Sequence, residues 1–272
     1  MKEGFYMKIL IKNGFIIDMT HKQENIEIKD ILIENEKIKK IQKDIQETAD
    51  KIIDATGKVV MPGLINGHNH VAMSIFRGYS DDLELQDWLQ NVIWPIEDRL
   101  TKEDIYFASK LSCIEMIKSG TTTFNDMYFF TEETAKAVEE TGIRAYLGRT
   151  IIMNGEEAEK RLEEAENVYK EWNGKAEGRI YINLPPHAPY TCNPETLNKC
   201  VEMAKKYHIP IHVHLSETEK ENEDVQKEYH KTPTEYLKDC GVFEVPCILA
   251  HGVHLNSKDI EIIKKAKARN CT

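Results

Sequence analysis

At 272 residues, 41% hydrophobic and 30% charged, the chain has material for one large domain and a small one. Its formal net charge of −10 argues against nucleic acid or an anionic membrane as partner. No apolar run approaches a membrane span and no secretory signal opens the chain, so six scattered cysteines without a Cys-x-x-Cys pair read as reduced, mostly buried thiols of a cytoplasmic protein.

The start is polar, and Met7 is an alternative initiator. Residues 1–58 read as a small β module, too thin to bury much core. Lys8-Ile9-Leu10-Ile11-Lys12, Ile26-Glu27-Ile28, Asp30-Ile31-Leu32-Ile33-Glu34 and Lys51-Ile52-Ile53-Asp54 are its short β-branched runs. Asn13-Gly14, Asn35-Glu36 and Thr56-Gly57 are expected turns.

From residue 59 to 272, strands and helices alternate. A buried apolar strand over 59–65 ends in Asn66-Gly67-His68-Asn69-His70, and a long segment over 71–100 carries Trp88, Trp94 and Pro95. Thr101 caps a helix with Asp104 three residues on; Ile105, Ala108, Leu111, Cys113 and Ile114 form its apolar spacing, and Gly120 stops it. Further strands are expected at 121–127, 144–149, 179–184, 209–215 and 247–251. Helices are expected at 132–141, 156–172, after Asn193-Pro194, at 219–230, at 234–239, and after a Ser257 cap. Strict alternation implies a parallel sheet covered by helices. Polar residues recur at strand C-termini: His68, His70, Asn125, Asp126, Arg149, His187, His214, Glu217 and His251. A (β/α)8 barrel places its active site there. A doubly wound sheet is the alternative, but the chain offers it no glycine-rich phosphate loop.

Strand side chains alternate, so His68 and His70 share a face and make half of a zinc site. His212-Val213-His214-Leu215-Ser216-Glu217 places His214 at another strand end as a third ligand. Glu217 follows closely enough to exchange a proton with a metal-bound water, and His251 is placed to orient that water. Each residue has a plainer alternative. His212 packs or hydrogen-bonds inside the barrel, His214 is a satisfied core histidine, Glu217 favours a helix start, and His251 ends a strand. Packing accounts poorly for so many histidines at separate strand ends.

Pro-Gly-Leu-Ile-Asn-Gly-His-Asn-His, His-Val-His-Leu-Ser-Glu-Thr and Leu-Ala-His-Gly-Val together resemble the amidohydrolase superfamily. The likeness is strongest to its 5-methylthioadenosine/S-adenosylhomocysteine deaminase group. Leu-Gln-Asp-Trp-Leu at 85–89, Trp-Pro-Ile-Glu at 94–97, Gly-Thr-Thr-Thr at 120–123 and Pro-His-Ala-Pro-Tyr at 186–190 extend the resemblance along essentially the whole chain. It implies a TIM-type (β/α)8 barrel holding one Zn2+ per subunit on His68, His70 and His214. Glu217 would be the proton shuttle and His251 an assistant. Substrate contacts would come from Glu97, Arg149, His187 and Glu217. Glu97 offers two acceptor oxygens to ribose hydroxyls and repels a 5′-phosphate. Arg149, with Arg161 as second candidate, can fork onto a homocysteine carboxylate. Surface ion pairs are the plain alternative for Glu97 and Arg149, and a turn-stabilising role for His187. The implied reaction is hydrolytic deamination of a small nucleoside: 5-methylthioadenosine, S-adenosylhomocysteine, 5′-deoxyadenosine or adenosine becomes an inosine-type product and ammonia. A guanine, cytosine or s-triazine aminohydrolase, or a catalytically inactive metal-binding remnant, are the alternatives. A homo-oligomer is left open.

The chain departs from this pattern in one respect. Six βα units are read where the barrel needs eight, and the pattern breaks off over residues 264–272. The family's aspartate ligand at the eighth strand, and the later strands that complete the β module into a composite β-sandwich, have no counterpart. The expectation is a truncated barrel with unpaired edges and little or no turnover.

Overall fold

The computed structural model describes residues 7–19, 27–80, 82–266 and 268–271. The polar start and Ile26 lie outside them. The chain divides into two compact units, Met1–Gly63 and Leu64–Thr272.

The first unit is one sheet. Strands β1 (Lys8–Ile16), β2 (Glu27–Glu34), β3 (Lys37–Gln42) and β4 (Lys51–Asp54) lie in the order β3-β2-β1-β4, and β5 (Val59–Val60) also pairs with β1. The β1–β2 and β2–β3 pairings are antiparallel, and those of β1 with β4 and β5 are parallel. Asn13-Gly14 is not a turn, as expected from sequence, but a bulge inside β1, where the register to β2 shifts. Asn13 adopts the left-handed conformation, φ 63°, and its N–H donates to Asp30 Oδ1 at 2.9 Å. Gly14 is required there, because a Cβ would sit 2.7 Å from the Val60 side chain. Strand β3 was not read from its lysine-rich sequence; all six of its residues are exposed. The core is small, built on Leu10, Leu32 and Ile45.

The second unit alternates parallel strands with helices. Its strands are β6 (Leu64–Asn69), β7 (Thr121–Asp126), β8 (Arg144–Leu147), β9 (Ile180–Ile182), β10 (Ile211–Leu215), β11 (Cys247–His251) and β12 (Ala268–Cys271). Strands β6-β7-β8-β9 form one ladder and β10-β11-β12 another. A parallel bridge from Leu184 to Ile211 joins them just beyond β9, with His212 N–H donating to Leu184 O at 3.1 Å. Seven consecutive parallel strands therefore replace the six read from sequence. The extra one, β12, pairs with β11 from Cys247↔Ala268 to Ala250↔Cys271. Its Ala-Arg-Asn-Cys has no apolar run to mark it.

The helices are α1 (Lys102–Lys118), α2 (Thr131–Thr141), α3 (Glu156–Trp172), α4 (Pro194–Tyr207), α5 (Glu219–Tyr229), α6 (Pro233–Asp239) and α7 (Ser257–Lys265). Helix α4 has Asn193 accepting from Thr196 N–H, Pro194 in its first turn, and Leu197, Cys200, Val201 and Ala204 buried on one face. Thr101 and Asp104 close a capping box on α1. The cap of α7 is Asn256 rather than Ser257, because the Asn256 side chain reaches the N–H groups of Lys258 and Asp259.

Two apolar assignments change. The expected strand over 59–65 breaks at Met61-Pro62-Gly63, and Leu64 and Ile65 are exposed, Ile65 at 74%. On α1 the buried residues are Ile105, Ala108, Ser109 and Cys113, whereas Leu111 and Ile114 face outward with Phe107 and Ile117. Packing chose the face with small polar groups. Ser109 pairs with Thr134 of α2 at 2.9 Å, and Ser112 donates to Val71 O at 2.9 Å. Among the described residues, no helix is long and apolar enough to cross a membrane.

Candidate metal centre and active site

The C-terminal ends of β6 and β10 bring His68, His70 and His214 together, with one ligand nitrogen from each within 4.8 Å of the others. His70 Nδ1–H donates to Met127 O at 2.7 Å, and His214 Nδ1–H donates to His187 O at 2.8 Å. Both carbonyls can only accept, so each ring carries its proton on Nδ1 and keeps a lone pair on Nε2. These two Nε2 atoms lie 3.3 Å apart. Nitrogens bound to one tetrahedral zinc lie about 3.4 Å apart, given Zn–N bonds of about 2.0–2.1 Å. The donor set thus fits a zinc-sized ion in type, and His70 and His214 fit it in tautomer and spacing as well.

Burial, first of all, lowers the pKa of each ligand histidine, and crowding by the others adds to it for His68, which falls to about 2. Neutral imidazoles are the form that binds metal. His251, at the end of β11, stacks on His214 with ring centroids 5.3 Å apart, and its centroid is 5.0 Å from that of His68. Its Nε2 is 3.6 Å from Glu217 Oε1. Burial raises the Glu217 carboxyl pKa, the direction that strengthens a carboxylate as a proton acceptor.

The loops carrying Glu217 and His251 are held under strain. Ser216 and His251 occupy the left-handed region, φ 47° and 73°. Ser216 O accepts from Val253 and His254 N–H at 3.0 Å each, which ties the two loops together. Glu221, buried on α5, accepts Ser216 N–H through Oε1 at 3.0 Å and Glu217 N–H through Oε2 at 2.9 Å. Glu221→Ala strands both amides. At about 1–3 kcal/mol per unpaired buried group, the variant is expected to lose about 3 kcal/mol of stability in urea unfolding of the metal-free chain. A loss under about 1 kcal/mol would show that these bonds carry no weight.

A cavity of about 190 Å3 holds this cluster, with Trp88, Trp94, Glu97, His187 and Tyr190 also on its walls. A second cavity, of about 930 Å3, holds Arg149 and Arg161, and Trp94, Glu97, Phe129 and Ile152 line both. The larger space is away from the histidines, so chemistry and not size marks the reactive end. Tyr128 OH donates to Glu97 Oε1, and burial raises the Glu97 pKa. Arg149 Nε donates to Glu164 at 2.8 Å, with its guanidinium over the Phe129 ring, and Arg161 pairs with Glu157 at 3.1 Å. His187 Nδ1 lies 2.9 Å from Thr191 Oγ1. Gly148, just after β8, lets the chain pass where a Cβ would be 2.0 Å from Asn183 Oδ1.

Two strand-end polar residues do something else. Asn125 donates to Gly67 O at 2.9 Å and accepts from Asn183 at 2.7 Å, and Asp126 accepts Val71 N–H at 2.6 Å. Both brace the strands beneath the cavity. Sequence reasoning missed Tyr128 and Glu221 as partners of Glu97 and of the Glu217 loop; neither has a local signal.

The match to known proteins falls on these elements. The amidohydrolase family covers residues 59–272, and the chain belongs to it. Within that class, the chain is 48% identical over 264 residues to a 5-methylthioadenosine/S-adenosylhomocysteine deaminase of Caldanaerobacter subterraneus, covering 96% of this chain and 61% of the relative. It is 51% identical to the protein of that name from Carboxydothermus hydrogenoformans, covering 95% and 60%. It is 45% identical to a 5′-deoxyadenosine deaminase of Methanosarcina mazei, covering 94% and 60%. The chain thus spans about 60% of the length of these relatives. A zinc-bound adenosine deaminase from Xanthomonas campestris superposes with a TM-score of 0.90 at 26% identity, over 96% of this chain and 61% of that one.

Proposed function

We propose that this chain carries the site of a zinc-dependent deaminase of adenosine-type nucleosides, converting 5-methylthioadenosine, S-adenosylhomocysteine or 5′-deoxyadenosine to inosine-type products and ammonia. One juxtaposition carries the reading: His68, His70, His214 and Glu217 share a small cavity with Glu97, and a larger space opens beyond Glu97. One zinc ion on the three Nε2 atoms would lower the pKa of a water molecule to about 7. Glu217 would take that water's proton and deliver it to the departing nitrogen. His251, beside Glu217, would orient the water. His187, its Nδ1 engaged by Thr191, would offer Nε2 to the purine edge. Glu97, steadied by Tyr128, would accept from the ribose hydroxyls. Arg149 and Arg161 would meet the carboxylate of a long 5′ substituent, each already balanced by one glutamate. Cys113, Cys192, Cys200, Cys240 and Cys247 are free and buried, which suits the reducing cytoplasm.

The test is the purified chain with zinc and S-adenosylhomocysteine. One zinc per chain and ammonia release support the reading. Zinc binding without ammonia release favours a metal-binding remnant, and no zinc binding removes the metal centre. Glu97 separates nucleosides from free bases. Glu97→Gln is expected to weaken binding of S-adenosylhomocysteine by about 10–100-fold, since hydrogen bonds to a charged group contribute about 1.5–3 kcal/mol, and to leave adenine binding nearly unchanged. Equal losses for both, read by calorimetry, would point instead to a guanine, cytosine or s-triazine aminohydrolase.

A further inference from the structure

Three ligand imidazoles need three partners to hold their tautomers, and one partner differs in kind. His70 and His214 each donate Nδ1–H to a backbone carbonyl. His68 Nδ1 instead lies 2.9 Å from Nε2 of His212. His212 is fully buried on β10, two residues before His214 and on the same strand face, and 144 residues from His68 in sequence. The two rings meet edge to face, centroids 5.0 Å apart. A carbonyl accepts only, whereas an imidazole nitrogen donates or accepts according to its tautomer. If His212 carried its proton on Nε2, His68 Nδ1 would have to accept, and its own proton would sit on the metal-facing Nε2. If His212 carries its proton on Nδ1, its Nε2 accepts from His68 and the His68 lone pair faces the metal. With Nε2 turned to His68, His212 Nδ1 makes no hydrogen bond, and the Asp126 backbone carbonyl is the acceptor that interacts with this ring. That carbonyl favours the second arrangement.

We propose that His212 is a positioning residue of the metal centre: by accepting from His68 Nδ1 it fixes the tautomer and ring orientation in which His68 binds the ion. This rests on the reading of His68, His70 and His214 as ligands. Losing such an outer partner typically weakens metal binding by about 10–100-fold.

The test compares His212→Gln with His212→Met in the full chain. The two side chains are close in length and volume, but only glutamine places an acceptor near His68 Nδ1. Zinc affinity is measured against a chromophoric chelator at pH 7.5, and the cobalt-loaded absorption spectrum reports the ligand field. The expected result is glutamine within about threefold of wild type and methionine weaker by about 10–100-fold, with an altered cobalt spectrum for methionine alone. Melting of the metal-free variants separates lost packing from lost coordination. Equal affinities for glutamine and methionine overturn the proposal. If the methionine variant does not fold, His212→Asn replaces it with the same expectation, since its amide stops short of His68. If wild type itself binds no zinc, the metal reading falls, a result distinct from any ranking of the variants.

Discussion

Glu217→Gln is expected to lower whatever rate of ammonia release from S-adenosylhomocysteine this chain supports by about 10²–10⁴-fold, the usual weight of a positioned acid–base group. Zinc content and nucleoside affinity should stay within a few-fold of wild type. Glutamine keeps the shape, the backbone bond to Glu221 and one acceptor oxygen; it loses only the ability to take and return a proton. Burial already raises the Glu217 pKa, and its Oε1 lies 3.6 Å from His251 Nε2 at the mouth of the histidine cluster. The separation of rate from binding is the diagnostic. A variant that keeps more than a tenth of the rate would remove Glu217 from the proton path. A variant that loses its zinc would make Glu217 a ligand rather than a shuttle.

How much of this was written locally follows from the residues themselves. His68 and His70 share a face by strand alternation, and His214 repeats the arrangement on another strand, so the cluster was legible wherever two strands ended in imidazoles. The parallel alternation of strands and helices was equally legible, because each strand from β6 to β11 carries an apolar or β-branched run. Strands β3 and β12 were not legible: Lys-Ile-Lys-Lys-Ile-Gln and Ala-Arg-Asn-Cys become strands only through the neighbours that pair with them. The face that α1 buries was misjudged because Leu111 and Ile114 match a helical period as well as Ile105 and Cys113 do; the choice lies with Thr134 and Val71, which come from other elements. Asn125 and Asp126 look catalytic by type and position. Yet strand ends also expose backbone groups that need partners, and these two side chains supply them. Glu221 belongs to the same class of unseen support; for His212 a hydrogen bond inside the barrel was legible, but not its partner, which comes from a strand far away in sequence.

Acid should unfold the metal-free chain well before it would unfold an ordinary domain. His68, His70, His187, His212, His214 and His251 crowd into one site, with ring centroids about 5 Å apart. Burial is the leading cause that holds all of them below the ordinary value of 6.5, His68 at about 2 and His187 and His212 at about 3. In the unfolded chain each takes a proton near pH 6.5, whereas in the folded chain each is held to a lower pH, and His68, His187, His212 and His214 to a much lower one. Their contribution is therefore complete above 6.5 and is lost as the pH falls from there towards the folded values. Each withheld proton steepens the loss by about 1.4 kcal/mol per pH unit. The buried carboxyls of Asp126, raised to about 7, and of Glu97, Glu217 and Glu221, also raised, work the other way. They hold protons in the folded chain that the unfolded chain releases, and so offset part of the histidine loss at mildly acid pH. Below about pH 4 the unfolded carboxyls are protonated too, the offset stops growing, and the histidine deficit runs on alone. A total stability of about 5–15 kcal/mol cannot absorb several such protons. The expected result is a melting temperature that falls steadily from pH 7 to pH 5 and a chain unfolded by about pH 4. Zinc should steepen the upper part of the curve, because protons then compete with the ion for the same lone pairs. His187→Gln, which removes one buried imidazole, should flatten the slope by about one proton. A melting temperature that is level or rising between pH 6.5 and 5 would mean that the six imidazoles are not held neutral, and the lone pairs required for metal binding would not be ready at neutral pH.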